Sequence, residues 1–349
     1  MCNCVVVEDV RCIWKDVEKN DIFKNLEDDV NQSPLSDEVK SKMYQNIRKL
    51  KQEKINLMIT GATGSGKSST INALFDLEVA KVGTGVDPET MDIQKFDLDN
   101  LVLWDSPGLG DGKEKDIEHS KGIIKKLNEL DDNNKRLIDM VLVLLDGSSR
   151  DLGTSYELIN SVIIPNLGEN AEKRIIVAIN QADVAMKGKY WNDERNIPEK
   201  ELEIFLNDKV ESVRKRIKEA TGLSIEPIYY SAGYKDGNNK QNPYNLSKLL
   251  YLIVKNTPTK KRLAYANSIS NDKNMWESND EILDYNIEIK KSMIESIKEG
   301  ISDGAELGAE IGAMLGKTGE TIGRIGGAIV GGVVGFIKSF FWLVVYKCK

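Results

Sequence analysis

The chain is poor in the side chains that most often carry chemistry. Its 349 residues include one histidine, His119. That excludes His-rich metal sites and argues against a His-centred nucleophilic triad. Its four cysteines are Cys2, Cys4, Cys12 and Cys348, all within 12 residues of an end. They cannot staple a central core, Cys2-x-Cys4 is too short for a zinc knuckle, and reduced thiols are expected. Basic residues are not in excess: 48 Lys and Arg stand against 55 Asp and Glu, a net charge of −7. An acidic balance argues against a protein that holds nucleic acid through bulk charge. No charged-then-apolar leader opens the sequence, so residence in the cytosol is expected. What is present is ordinary: 40% hydrophobic and 30% charged residues, enough apolar content for two or three folded domains at this length.

Glycine divides the chain. Of 28 glycines, 11 lie between Gly304 and Gly335. Three regions follow: a helical N-terminal segment (1–52), a central region (53–256) and a C-terminal helical region (257–349) that ends in the glycine-rich stretch 304–346. In the first, Ser33-Pro34 reads as a helix start, and Leu35, Val39, Met43, Ile47 and Leu50 form one apolar stripe. In the second, the apolar runs Ile55–Thr60, Leu101–Asp105, Met140–Asp146, Arg174–Asn180 and Ile228–Ser231 alternate with helix-period stretches. That alternation predicts an α/β fold with a mostly parallel sheet covered on both faces.

The central region carries three motifs in order. Gly61-Ala62-Thr63-Gly64-Ser65-Gly66-Lys67-Ser68 follows one predicted strand and precedes the helical pattern Ser69–Phe75, the context that a P-loop requires. Glycines let backbone N–H groups line a concave anion site at a helix N-terminus. Gly61, Thr63, Gly64, Ser65, Gly66, Lys67, Ser68 and Ser69 are therefore candidate phosphate-binding residues. Lys67 is expected to reach the β- and γ-phosphates, and the Ser68 hydroxyl to ligate Mg²⁺. Asp105-Ser106-Pro107-Gly108 stands at the end of a strand, 38 residues after Lys67. Asp105 can hold the Mg²⁺ water shell, and the Gly108 N–H can meet the γ-phosphate because no side chain blocks it. The stretch Leu109-Gly110-Asp111-Gly112 is expected to move when that phosphate leaves. A threonine between the motifs should complete the metal site, and Thr90 is preferred to Thr84 because it precedes a strand candidate at Asp92–Phe96. Lys67, Thr90 and Gly108 are the catalytic candidates. Asn180-Gln181-Ala182-Asp183 ends a buried strand run. An Asp183 carboxylate can accept from N1 and N2 of guanine together, which adenine cannot offer. Asn180 would brace the loop, the Gln181 stem would cover the base, and a backbone N–H at Ser231-Ala232 would meet the guanine O6.

This ordered set resembles the P-loop GTPases of the translation-factor-related class, within them the Era-like and septin-like branch, and most of all the bacterial 50S ribosome-binding GTPase domains. Gly83-Thr-Gly-Val-Asp-Pro-Glu-Thr90 together with Val102–Gly108 is also similar to the immunity-related GTPases. The resemblance covers about residues 53–256. It implies a six-stranded, mostly parallel P-loop GTPase domain with helical extensions, and binding of GTP or GDP with Mg²⁺. Two positions depart from the pattern. Leu109 stands where many small GTPases place a water-orienting Gln, so intrinsic hydrolysis should be slow. Gly64 stands where potassium-activated relatives carry Asn. Ser65, Ser69, Arg150, a second copy of the chain or a partner are the remaining sources of assistance.

In the tail, Gly304, Gly308, Gly312 and Gly316, then Gly319, Gly323, Gly327, Gly331 and Gly335, fall on one helical face. Each glycine costs a helix about 1 kcal/mol relative to Ala, so the stripe needs another backbone packed against it. Membrane helices associate in this way. Ile325–Tyr346 is 22 residues with Lys338 as its one charge, about 33 Å of helix and long enough to span a bilayer. The alternative is a hairpin packed on the N-terminal helices. The expected function is a GTP-hydrolysing switch coupled to this tail, cytoplasmic and at a membrane when the tail engages one. A ribosome-assembly GTPase and a membrane-inserting, toxin-like protein are the alternatives. No nucleic-acid-binding module is legible.

Overall fold

The structure is a computed structural model, and it describes residues 21–75, 77, 93–236, 239–301 and 318. Among the described residues two helices come first, α1 (Ile22–Gln32) and α2 (Asp37–Gln52). The α2 stripe is as expected, with Met43, Ile47 and Leu50 buried. Its start is not. Ser36 is the N-cap and accepts from the Val39 N–H, whereas Ser33 ends α1 by donating to the Val30 carbonyl. Both serines precede an apolar-periodic run, so the pattern alone did not distinguish them.

A six-stranded sheet follows. Its strands are β1 (Ile55–Gly61), β2 (Gln94–Leu98), β3 (Leu101–Asp105), β4 (Met140–Asp146), β5 (Ile175–Asn180) and β6 (Ile228–Tyr229). Their spatial order is β2-β3-β1-β4-β5-β6. All neighbours are parallel except β2, which pairs antiparallel with β3 at the edge. Between the strands lie α3 (Lys67–Phe75), α4 (Lys113–Leu127), α5 (Gly153–Glu157) and α6 (Lys200–Thr221). The helix α5 runs on through a π-helical stretch, Leu158–Ile163. After the sheet come α7 (Leu246–Asn256) and α8 (Tyr285–Ile301).

The strand runs are apolar throughout because both faces are covered, and successive residues feed opposite cores. Leu57, Ile59, Leu142 and Leu144 join one cluster with α1, α2, α3, α7 and α8. Met58, Val141, Val143 and Leu145 join the other with α4, α5 and α6. The N-terminal helices and α8 therefore share a core with one face of the sheet. Polar contacts reinforce this: Lys261 Nζ donates to Asp139 at 2.7 Å, and the same carboxylate accepts from the Asn56 N–H at 2.9 Å.

Strand register sets up the functional edge. Ile59 lies opposite Asp105, Gly61 opposite Leu144, and Asp146 opposite Asn180. The ends of β1, β3, β4 and β5 thus lie at one carboxyl edge, where ligands of open α/β sheets bind. Thr84 and Thr90, the glycine-rich stretch 304–346 apart from Thr318, and all four cysteines lie outside the described residues.

Candidate functional site

The loop leaving β1 turns through Gly64 (φ +78°) and Gly66 (φ +84°) into α3, whose first residue is Lys67. Gly66 has no alternative here. Its backbone is left-handed, and a Cβ there would collide with the Asn180 side-chain amide. The first-turn N–H groups of α3 face this loop without intrahelical acceptors, which makes the concavity favourable to an anion. Lys67 Nζ donates to the carbonyls of Ala62 (3.2 Å) and Gly61 (3.4 Å). Burial pushes the Lys67 pKa down, while the charges of Asp105 and Asp111 act to raise it.

Asp105 ends β3 almost fully buried, and its Oδ1 has no hydrogen-bond partner. Burial pushes its pKa up to about 6, against the opposing pull of Lys67. An uncompensated buried carboxylate oxygen beside a phosphate-type loop suits a hard cation. Ser68 stands in the first turn of α3, next to Lys67, and its hydroxyl is the kind of second oxygen such an ion takes. Together they fit Mg²⁺, which usually takes one or two protein oxygens and completes its shell with water and phosphate.

The loop after Asp105 is pinned on both sides. Leu109 pairs with the P-loop: its carbonyl accepts from the Thr63 N–H at 2.9 Å, and its N–H donates to Gly61 O at 3.4 Å. Gly108 lies so close to the Thr63 backbone that a Cβ would collide with it. From the other side, Asp116 of α4 accepts from the N–H groups of Gly110 (2.8 Å) and Asp111 (3.3 Å). His119 of α4, also buried, lies 3.0 Å from the Gly108 carbonyl through Nδ1. A carbonyl can only accept, so Nδ1 carries the hydrogen. The Leu109 side chain is buried in the core on the α4 face. Asp111 Oδ2 is buried without a partner.

Asn180 joins the loops. Its Nδ2 donates to Ser65 O, and its Oδ1 accepts from the Ala232 N–H, both at 3.0 Å. Gln181, left-handed at φ +62°, reaches back to Gly64 O at 2.7 Å. Asp183 follows in the 3-10 stretch Ala182–Gly188. One expectation changes here. The Ser231 N–H donates to Tyr244 O at 3.0 Å and the Ala232 N–H to Asn180, so both bind protein groups rather than standing free for a purine oxygen.

Residues 56–181 match the family model for the 50S ribosome-binding GTPase. That segment is a P-loop GTPase domain. The chain is 29% identical over 169 residues to the uncharacterized protein YfjP of Escherichia coli K12, covering 47% of this chain and 54% of YfjP. A 70-residue stretch is 37% identical to mouse interferon-inducible GTPase 1, covering 18% of this chain and 17% of that protein. The chain spans about half the length of the first curated relatives it matches. Toc33 of Arabidopsis thaliana, crystallised with Mg²⁺ and GMPPNP, aligns at 18% identity and a TM-score of 0.38, covering 61% of this chain and 85% of that one.

Sequence reasoning placed the P-loop, Asp105, Gly108 and the Asn180–Asp183 loop of the GTPase domain at one edge. It passed over the α4 clamp, because a lone histidine signals no chemistry and Asp116 sits in an ordinary charged helix. It also passed over Tyr230, fully buried, whose hydroxyl lies 2.6 Å from Thr70 Oγ1. Thr70 in turn donates to Gly66 O at 2.8 Å, so the end of β6 supports the P-loop from beneath.

Proposed function

We propose that the chain is a GTP-hydrolysing molecular switch whose nucleotide state governs its glycine-rich C-terminal segment. The observation that carries this is the double role of Asn180, which ties the P-loop to the Ser231–Ala232 loop at the edge where Asp105 ends its strand. On this reading the α3 N-terminus and Lys67 hold the β- and γ-phosphates. Lys67 exchanges the Gly61 and Ala62 carbonyls for phosphate oxygens. Ser68 and Thr90 would hold Mg²⁺ directly and Asp105 would hold its water shell; the bound ion would neutralise charge that develops on the transferred phosphoryl group. Asp183 reads the base. The Gly108 N–H meets the γ-phosphate, and α4 senses that contact through the Gly108 carbonyl.

Leu109 is turned into the core and cannot orient water, so the intrinsic rate is low. A second copy of the chain or a partner supplies the missing group. For the tail, Thr318 supports docking on the N-terminal helices: it is buried, and its backbone N–H donates to Asp29 of α1 at 2.9 Å. GTP-dependent release from that contact would free the segment for a membrane, with the nucleotide domain remaining in the cytoplasm. Among the described residues no helix is long and apolar enough to cross a bilayer, and Ile325–Tyr346 lies outside them.

The test is GTP hydrolysis by the full chain against Lys67→Ala and Asp183→Ala. Each substitution should lower kcat/KM at least tenfold, as expected for loss of a charged transition-state or base contact. Unchanged turnover in both variants would overturn the assignment.

A further inference from the structure

We propose that Gln241 and Trp191 form a hydrogen-bonded relay that fixes the Asp183 carboxylate and so sets the purine selectivity of the site. The inference rests on the reading of Asp183 as the base-recognition residue.

Three segments meet at this point: the 3-10 stretch that carries Asp183, the hairpin Trp191–Asn192 with Ile197–Pro198, and the hairpin Tyr234–Asp236 with Asn239–Gln241. The Gln241 amide faces Asp183 Oδ2 on one side and Trp191 Nε1 on the other, each at 3.2 Å. An ionised carboxylate only accepts and an indole N–H only donates. With its nitrogen towards Asp183, the amide satisfies both neighbours. Reversed, it opposes oxygen to carboxylate and N–H to N–H, and keeps one bond, to Asn196 Oδ1 at 3.3 Å. Two bonds, one of them charge-assisted, outweigh that neutral bond even though the turned Gln241 oxygen then faces Asn196 Oδ1. The relay therefore runs from the Trp191 N–H to the Gln241 carbonyl, and from the Gln241 N–H to Asp183.

Both members are held from outside. Trp191 packs edge-on against Tyr244, with ring centroids 5.5 Å apart. Tyr244 is bridged to Ser231 by two backbone hydrogen bonds of 3.0 and 2.9 Å. The Asn196 side chain donates to Asn242 O (3.0 Å) and Pro243 O (3.1 Å), closing the first hairpin onto the chain just after Gln241.

The chemistry gives this rigidity a purpose. Bidentate recognition of guanine needs both Asp183 oxygens in the plane of the base. Each oxygen has two lone pairs, so Oδ2 can accept from Gln241, which restrains the carboxylate plane, and still accept from guanine. Asp183 then presents only acceptors, and the N1 acceptor of adenine meets repulsion.

The experiment measures Kd of the full chain for GDP, for IDP (which lacks the 2-amino group) and for ADP, in the wild type, Gln241→Leu, Trp191→Phe and the double variant. In Gln241→Leu the GDP-to-IDP preference should fall about tenfold, the scale of one charge-assisted hydrogen bond, while IDP binding holds. Trp191→Phe should lower the preference less, and should add nothing on top of Gln241→Leu. An unchanged preference, or an equal loss for all three nucleotides, would overturn the relay. Asp183→Asn is the control on the underlying reading: GDP binding should collapse and XDP binding rise, because the 2-oxo group of xanthine accepts from the new amide. GDP binding that survives Asp183→Asn sinks the base-reading role and the relay with it. A collapse there, with an unchanged preference in Gln241→Leu, removes the relay alone.

Discussion

Asp105 is the residue at which stability and function oppose each other. Buried at the end of β3 with an unpartnered oxygen, it ionises reluctantly, with a pKa near 6 where an ordinary aspartate has 3.8. Since the folded value lies above the unfolded one, its contribution to stability is fully present below about pH 4 and is lost as pH rises through 6. The loss amounts to ~3 kcal/mol at the order-of-magnitude level. The nucleotide-free Asp105→Asn protein should therefore melt above the wild type at pH 7.5, and the difference should vanish near pH 4. Thermal melts across that range, without Mg²⁺, check this. A variant less stable than the wild type at every pH would contradict it. The sequence already showed the carboxylate, because it ends an apolar strand 38 residues after Lys67. The missing partner was not legible, since it depends on which loops close over the strand end.

Among the elements, α4 holds the loop that lies beside the P-loop. Asp116 and His119 lie three residues apart on one face of the helix and hold the Gly108–Asp111 backbone from its outer side. His119→Ala combined with Asp116→Ala should speed amide exchange at Gly110 and Asp111 by about tenfold or more, since all three hydrogen bonds from α4 to this loop are lost. Protection in β1 and β4 should stay as in the wild type. Hydrogen exchange read by mass spectrometry decides it, and unaltered exchange at those two amides would remove the clamp. The strands were legible as elements because they are covered on both faces and read as unbroken apolar runs. The cap of α2 was not, because Ser33 and Ser36 present the same local signal and the difference lies in where α1 stops. The clamp was invisible for a related reason: side chains that bond loop backbone leave no periodicity in the sequence.

At the scale of the whole molecule, the central region shares its core with the helices outside it. Leu74, Phe75, Leu249 and Ile253 share one cluster with Ile22, Phe23, Met43 and Ile297. A fragment limited to residues 53–256 would present the first group to water. It should melt at least 10 °C below the full chain or aggregate on purification, given several large apolar side chains uncovered at about 25 cal/mol per Å². A fragment as stable as the full chain would show that the outer helices are dispensable. Composition and periodicity divided the chain at those positions because glycine use and motif content change there, but neither reports which faces come together in space. The same arrangement bears on how the protein is made. Helix α1 finds its hydrogen-bond partners far along the chain: the Ile22 N–H donates to Asn267, 245 residues on, and Asp29 accepts from Thr318, 289 residues on. At about 5–20 residues per second of translation, α1 waits on the order of tens of seconds after its own synthesis for the segment that completes it. During that interval its apolar face is open to chaperones.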